Sequence, residues 1–357
     1  MKKEKLYRMP YHGFFLAYIF ILIFVSFRVY MAMDIFSAAE FLFKSLYIPF
    51  CFYLCFVYFQ ETSDAKTLFL AFVVSVIFPL LFIYFQKMTG YTWRYHETRG
   101  LIRSQAVYHS VISPRIFIMQ ALIGIYLYWQ YFVPKARFFL RGLLIFLSIA
   151  CVVGLYFLYS KAIILTLIIW AVIFSFLGKK LYILPLAFIF FLITNSLLGN
   201  RVFEDMRTLF SKEIDYVAGS SSVSRDYLLS GRIRIWSEYA KEWKDLSLLE
   251  KLIGTGRSHS YFHDDFLRVL YSGGVLLLVL YGTMLIIFFT KALSLFQRTG
   301  EIVYFSVLLG LSYYLAETFG QTPGFYPIIQ PMTWGLIGLS LNKSLTRPET
   351  ENILKQS

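Results

Sequence analysis

Apolar residues in this chain come in uninterrupted blocks of about 17–25, the length a helix needs to cross a hydrocarbon core of about 30 Å. The first, HGFFLAYIFILIFVSF from His12, follows a basic head, MKKEKLYR. No water inside a bilayer can satisfy a bare peptide group, so each block must fold as a helix that closes its own hydrogen bonds. Composition points the same way: 58% of the 357 residues are hydrophobic and only 15% are charged, against about 45–50% and 25% in soluble domains. The expected fold is an all-α polytopic membrane protein with about ten spans, near 13–31, 41–59, 67–85, 116–133, 138–158, 161–178, 180–198, 266–289, 302–319 and 325–341, or about 10–12 transmembrane helices in all. No small-residue cleavage site follows the first block, which reads as a retained span. Cys51, Cys55 and Cys151 all fall inside apolar blocks and read as packing residues.

Loop charge orients the spans. Basic residues accumulate on the cytoplasmic side, and this rule accounts for much of the formal charge of +13. A single-stranded nucleic-acid site would need exposed aromatics among its cations, whereas here the aromatics lie mostly in the spans, so nucleic acid is not an expected partner. With the head in the cytoplasm, PKAR (134–137), GKK (178–180), KALSLFQRTGE (291–301) and the tail NKSLTRPETENILKQS all fall inside. Both termini are therefore expected in the cytoplasm. Four segments divide the chain: membrane helices in 1–198, including an outer loop at 86–115; a large, partly helical outer loop at 199–265; membrane helices in 266–341; and a cytoplasmic tail, 342–357. In an envelope with two membranes, outside means the periplasm.

The outer loops carry the chemistry. Loop 86–115 sets Lys87, Arg94, Arg99, Arg103 and Arg115 against Glu97. Cations on the disfavoured side point to an anionic ligand, with lipid head-group contact as the plainer alternative. In SGRIRIWSEYAKEWKDL (230–246), Arg232, Trp236, Tyr239, Ala240 and Trp243 recur at helical spacing and share a face. Arg234, Glu238 and Lys241 lie on another face that reads as solvated. An interfacial helix would explain the aromatic stripe, but Arg232 on the packed side needs an anionic partner, from protein or ligand. Few ionisable residues fall at mid-bilayer, which disfavours an ion-coupled transporter.

Four of the five histidines (His96, His109, His259, His263) are in these loops. His259 and His263, four apart with acids beside them, could share a helix face as zinc ligands do, but no third ligand stands at a standard spacing. The stretch IGTGRSHSYFHDD offers a second reading, beside a plain one in which the acids cap a helix and the histidines sit at the interface. A Gly-rich turn and Arg257 precede a helix start that Asp264 or Asp265 would cap. Such a start favours phosphate, arginines clamp it in bidentate fashion, and a histidine can act as base near neutral pH.

The ordered stretches RGLIRSQAVYHSVISP (99–114), YSKAIILTL (159–167), SGRIRIW (230–236) and IGTGRSHSYFHDDFLRVLYSGG (253–274) resemble the O-antigen ligase/polymerase superfamily of bacterial envelope proteins, the Wzy-type polymerases and WaaL-type ligases. The resemblance runs in order over roughly half the chain. Ser160–Lys161 stands where the family has Ser-Arg, keeping the charge without the bidentate fork, and Asp264 follows His263 where an Asn is common. The resemblance implies a GT-C-like, metal-independent glycosyltransferase of the inner membrane that needs no cofactor. It further implies an undecaprenyl-pyrophosphate-linked oligosaccharide as substrate, membrane lipid around it, and a chain-length regulator as partner. Arg99, Arg103, Lys161, Arg232, Arg234, Arg257, His259 and Trp236 would then bind pyrophosphate or glycan, the arginines offsetting charge on the leaving group. His263, Asp264 or Asp265 would take the acceptor's proton. The expected activity is repeat-unit polymerisation; a ligase moving glycan to lipid A-core, and a polysaccharide flippase without chemistry, are the alternatives.

Overall fold

The computed structural model describes residues 10–59, 62–91, 97–108, 110–134, 137–197, 199–219, 224–257 and 262–342. The basic head, the tail beyond 342, and Arg94, His96, His109 and His259 lie outside the described residues. The structure is nearly all helical. In chain order come α1 (His12–Ala32), α2 (Ile35–Tyr58), α3 (Thr62–Ser75) and α4 (Ile77–Thr89). A small hairpin follows, β1 (Glu97–Thr98) and β2 (Leu101–Ile102), then α5 (Ile112–Phe132), α6 (Phe138–Tyr156), α7 (Lys161–Phe176) and α8 (Ile183–Leu197). Next are α9 (Arg201–Leu209), α10 (Ser211–Val217), α11 (Arg232–Asp245), α12 (Leu248–Ile253), α13 (Asp265–Thr299), α14 (Ile302–Thr318) and α15 (Leu336–Ser340).

Among the described residues, six helical runs are long and apolar enough to cross a membrane: α1, α2, the joined run Asp64–Thr89, α5, α6 and α13. The chain is an all-α polytopic membrane protein. The ten expected spans differ from these six for local reasons. The segments at 161–178 and 302–319 form shorter apolar helices, α7 and α14. The block at 180–198 forms α8, bent by 106° against α9. The block at 325–341 is broken because Pro327 and Pro331 each open a short turn before α15, and Pro323 opens another just ahead of it. Proline brings no N–H to a helix and clashes with the preceding turn. Such broken backbone is tolerated at membrane depth only inside protein, and Met332, Trp334 and Leu336 are fully buried. Large side chains that face outward, such as Phe20, Phe36, Phe138 and Phe188, make the apolar surface that a bilayer covers.

The chain forms two compact units, 1–65 with 235–357, and 66–234. In the first, α1, α2, α13 and the buried turns share an aromatic core in which Phe52 lies 4.8 Å from Phe15 and 5.6 Å from Phe288 between ring centres. Trp334 stands edge-on to Phe288 at 5.8 Å and to Tyr314 at 6.0 Å. The α2 backbone approaches α15 so closely that a Cβ on Gly338 would lie 2.1 Å from the Phe52 carbonyl oxygen. Small residues allow this where no hydrophobic drive exists between helices in lipid. Asn342 then donates to the Phe56 and Phe59 carbonyls at the open end of α2.

In the second unit, small residues let helices approach: Gly124 of α5 meets Phe72 of α3, and Gly154 of α6 meets Leu80 of α4. Gln86 of α4 ties down the chain at 105–106. Its side-chain oxygen accepts from the Gln105 and Ala106 N–H groups, and its amide donates to the Ala106 carbonyl. That one side chain fixes the backbone on which the loop's arginines stand.

Candidate functional site

Five cations gather in the second unit. Arg99 sits at the tip of the hairpin, where Arg99 (φ +55°) and Gly100 (φ +80°) both adopt left-handed backbone, as a two-residue turn matched to strand twist requires. Glu97 accepts from the Gly100 N–H at 2.8 Å and holds this turn. Arg99 Nη1 donates to the Leu209 carbonyl at 2.5 Å and to Glu213 Oε2 at 3.0 Å. Lys161, the first residue of α7, donates to Glu213 Oε1 at 2.6 Å. The same oxygen accepts from the Leu229 N–H at 3.1 Å. Leu229, Ser230 and Gly231 are three successive left-handed residues. They turn the chain into α11, whose first residue, Arg232, donates to the Leu229 carbonyl at 3.1 Å.

Arg103 and Arg115 complete the group. Arg103 Nε donates to the Leu158 carbonyl at 2.9 Å, just past the end of α6, where a helix presents unsatisfied carbonyls and favours a cation. Arg115 is buried and donates to Ser160 Oγ at 2.8 Å. Burial, then the like charges of Arg115 and Arg232, push the Arg103 guanidinium down to about 10. Glu213 shows the opposite balance. Burial alone would raise its carboxyl, but hydrogen bonds from Lys161 and Arg99 outweigh that and hold it below the ordinary range. A site that depresses an arginine and a carboxyl together is strongly electropositive and stabilises anions.

A second group borders it. Tyr156 and Tyr159 both donate to Asp205 Oδ2, and Lys87 lies over the Tyr159 and Phe157 rings at 4.7 and 5.3 Å.

The remaining sequence-predicted residues have other surroundings. In the first unit, Asp264 caps α13 by accepting from the Leu267 N–H at 2.9 Å. Burial and the neighbouring Asp265 raise its carboxyl. Asp265 is fully buried; Oδ1 accepts from Arg268 at 2.7 Å, and Oδ2 accepts from Tyr281 at 2.6 Å and from the Gly324 N–H at 3.0 Å. Both oxygens are thus engaged, one of them in a buried ion pair with Arg268. His263, half-buried with left-handed backbone (φ +49°), stands just ahead of the cap.

The Gly-rich turn is a clasp and not the expected phosphate cradle. Gly274 interrupts α13 (φ +69°, ψ −169°), and the Tyr271 carbonyl accepts from the Thr255 N–H at 2.8 Å and from its hydroxyl at 2.9 Å. Arg28 donates to the Gly254 carbonyl at 2.8 Å. Arg257 makes an exposed pair with Glu242 at 2.5 Å, and Arg234 is exposed. The aromatic stripe packs as its spacing predicted: Tyr239 and Trp243 meet Tyr271 at 5.2 and 5.6 Å, while Trp236 is half-buried. His259 lies outside the described residues, and among those described no three His, Cys, Asp or Glu side chains gather as a metal site.

Of the predicted binders, then, Arg99, Arg103, Lys161 and Arg232 come together within the second unit, where Arg234 is exposed; Arg257 belongs to the first unit. Sequence reading placed Arg115 among the loop cations but gave it no site role, and it missed Glu213 and Asp205 altogether. Neither acid stands in a motif; only the fold brings them to cations and tyrosines distant in sequence. No protein-family model, characterised protein or solved structure matches this chain.

Proposed function

We propose that this chain is a GT-C-like polysaccharide polymerase of the bacterial inner membrane. It transfers undecaprenyl-pyrophosphate-linked glycan to the acceptor sugar of another lipid-linked repeat at the periplasmic face. The observation that carries this reading is the crowding of Arg99, Arg103, Arg115, Lys161 and Arg232 in one outer-loop neighbourhood, with Arg103 driven down to about 10. Burying like charges is costly, and a pyrophosphate ligand offsets the cost. The ordered motifs of the superfamily fall on the same residues, from Arg99–Pro114 and Ser160–Lys161 to Arg232.

The chemistry is a displacement at the donor's anomeric carbon. The acceptor hydroxyl oxygen bonds to that carbon, and the bond from carbon to the pyrophosphate oxygen breaks. The electron pair leaves with the pyrophosphate, where the cation cluster stabilises it. The base proposed to take the acceptor proton is His263, the residue just ahead of the α13 cap. Asp264 is the second candidate because its carboxyl is already raised. The sugar arrives activated, so no cofactor is required.

Deleting the gene and examining envelope glycan on a gel separates the readings. Loss of a polymerase leaves core bearing one repeat. Loss of a ligase leaves bare core with polymer still on the lipid carrier. Loss of a flippase leaves repeats trapped at the inner face. Complementation with Arg103→Ala or His263→Ala should fail to restore long chains although the protein reaches the membrane; a normal ladder from both variants would remove the site assignment.

A further inference from the structure

The Glu213 carboxylate occupies the place where the cation cluster would hold an anion. Its two oxygens take Arg99 Nη1 at 3.0 Å, Lys161 Nζ at 2.6 Å and the Leu229 N–H at 3.1 Å. Two of these three donors belong to the residues best suited to bind phosphate. Glu213 is carried on α10, a helix of only seven residues. None of its side chains is buried, so packing gives α10 little reason to stay. By contrast, Asp205 accepts from tyrosine hydroxyls and Asp264 from a backbone N–H, donors that carry no formal charge.

We infer that Glu213 is a resident anion which fills the phosphoryl subsite formed by Arg99, Lys161 and Leu229 N–H in the empty protein, and that a pyrophosphate group displaces it. This inference rests on the proposed function for the choice of pyrophosphate. It adds that the subsite is closed at rest and names the residue that closes it. The physical logic is competition. A tethered carboxylate acts at high effective concentration and spares the protein from leaving a cluster of cations bare. It carries one negative charge where pyrophosphate carries more, so the ligand can win both donors. A site open only a tenth of the time binds about tenfold more weakly than the same site left open.

The test uses the full chain in detergent, titrated calorimetrically with inorganic pyrophosphate. Glu213→Gln removes the competing charge and should bind pyrophosphate at least about fivefold more tightly than the wild type. Glu213→Ala should do the same. Asp215→Asn removes an equal charge from an exposed position on the same helix and should change affinity less than twofold. Equal affinity for Glu213→Gln and the wild type, or equal gains from Glu213→Gln and Asp215→Asn, would overturn the inference. Arg103→Ala keeps the two questions apart. If wild-type binding is lost in Arg103→Ala but unmoved by Glu213→Gln, the pyrophosphate site stands and the displaced carboxylate does not. If pyrophosphate binds none of these proteins, both fall. If Glu213→Gln does not fold, Glu213→Asp, which keeps the charge on a shorter side chain, should show the same direction of change.

Discussion

Replacing Gly274 by alanine should cost more stability than any other single methyl group added to α13. The position has φ +69° and ψ −169°, a region open essentially to glycine, where other residues cost about 1–3 kcal/mol. The new Cβ would also lie 2.3 Å from the Leu252 carbonyl oxygen and 2.5 Å from the Gly254 nitrogen. Both are backbone atoms that cannot swing aside. Overpacking of this kind costs about a further 1–3 kcal/mol, for a total of about 2–6 kcal/mol. The cheapest relief is for residues 252–256 to lift from the kink. That movement would break the Thr255 bonds to the Tyr271 carbonyl and the Arg28 bond to Gly254. Gly282 on the same helix is the control: a Cβ there meets nothing within 4 Å, and alanine in a helix interior gains about 0.5–1 kcal/mol. In detergent, the melting midpoint of Gly274→Ala should fall by about 3–10 °C. Trypsin should cut faster at Lys251 or Arg257, while Gly282→Ala matches or exceeds the wild type. Equal midpoints and equal cutting for the two variants would refute the clasp.

Four further outcomes follow from the same geometry. Arg103→Gln relieves repulsion from Arg115 and Arg232 and should raise the melting midpoint while abolishing long-chain glycan; a lower midpoint would show that Arg103 is held for stability and not for a ligand. Because its guanidinium titrates only near about 10, this gain should be constant from pH 6 to 9, and pyrophosphate should stabilise the wild type but not the variant. Glu213 has a folded carboxyl below its ordinary value. Its stabilisation is therefore fully present above about pH 5 and is lost only as pH falls through the folded value; the midpoint gap between wild type and Glu213→Gln should stay flat from pH 5 to 8 and close in more acid buffer. Asp265→Asn strands the Arg268 cation in a buried site and should cost about 3–5 kcal/mol, of which Asp265→Leu combined with Arg268→Met should recover most; a double variant as unstable as the single would argue that the pair does more than satisfy itself.

Local rules made much of this fold legible. Block length announced helices, and Asp264 capping α13 follows from an acid standing before an apolar run. The spacing of Tyr239 and Trp243 announced the face on which α11 packs. The failures have physical causes too. Two prolines in an otherwise apolar stretch, 325–341, and a third just before it were outweighed by hydropathy, although each opens a new turn. The turn at Gly254–Gly256 looked like a phosphate cradle because glycine spacing records tight backbone approach without recording what approaches; here it is the α13 backbone at Ser272–Gly273 against Gly254 and the Arg28 carbonyl of α1 against Gly256. The partners of Asp265 were not legible either, because Tyr281 and Gly324 are 16 and 59 residues away.

The amino-acid sequence alone determined that this chain crosses a membrane as helices, since the solvent requirement acts on each segment by itself and needs no partner. It also singled out cations in the loops between apolar blocks, because charge and hydropathy are properties of composition. Tertiary structure decided which of those cations meet. Arg99, Arg103, Arg115, Lys161 and Arg232 come from a hairpin, a loop, the starts of two apolar helices and the start of α11, and no periodicity links them. Their shared environment, with the Glu213 carboxylate between Arg99 and Lys161, arises only in the folded chain, where Gln86 anchors residues 105–106. Electrostatic coupling depends on distance in space, and for residues up to 133 positions apart that distance is set by packing.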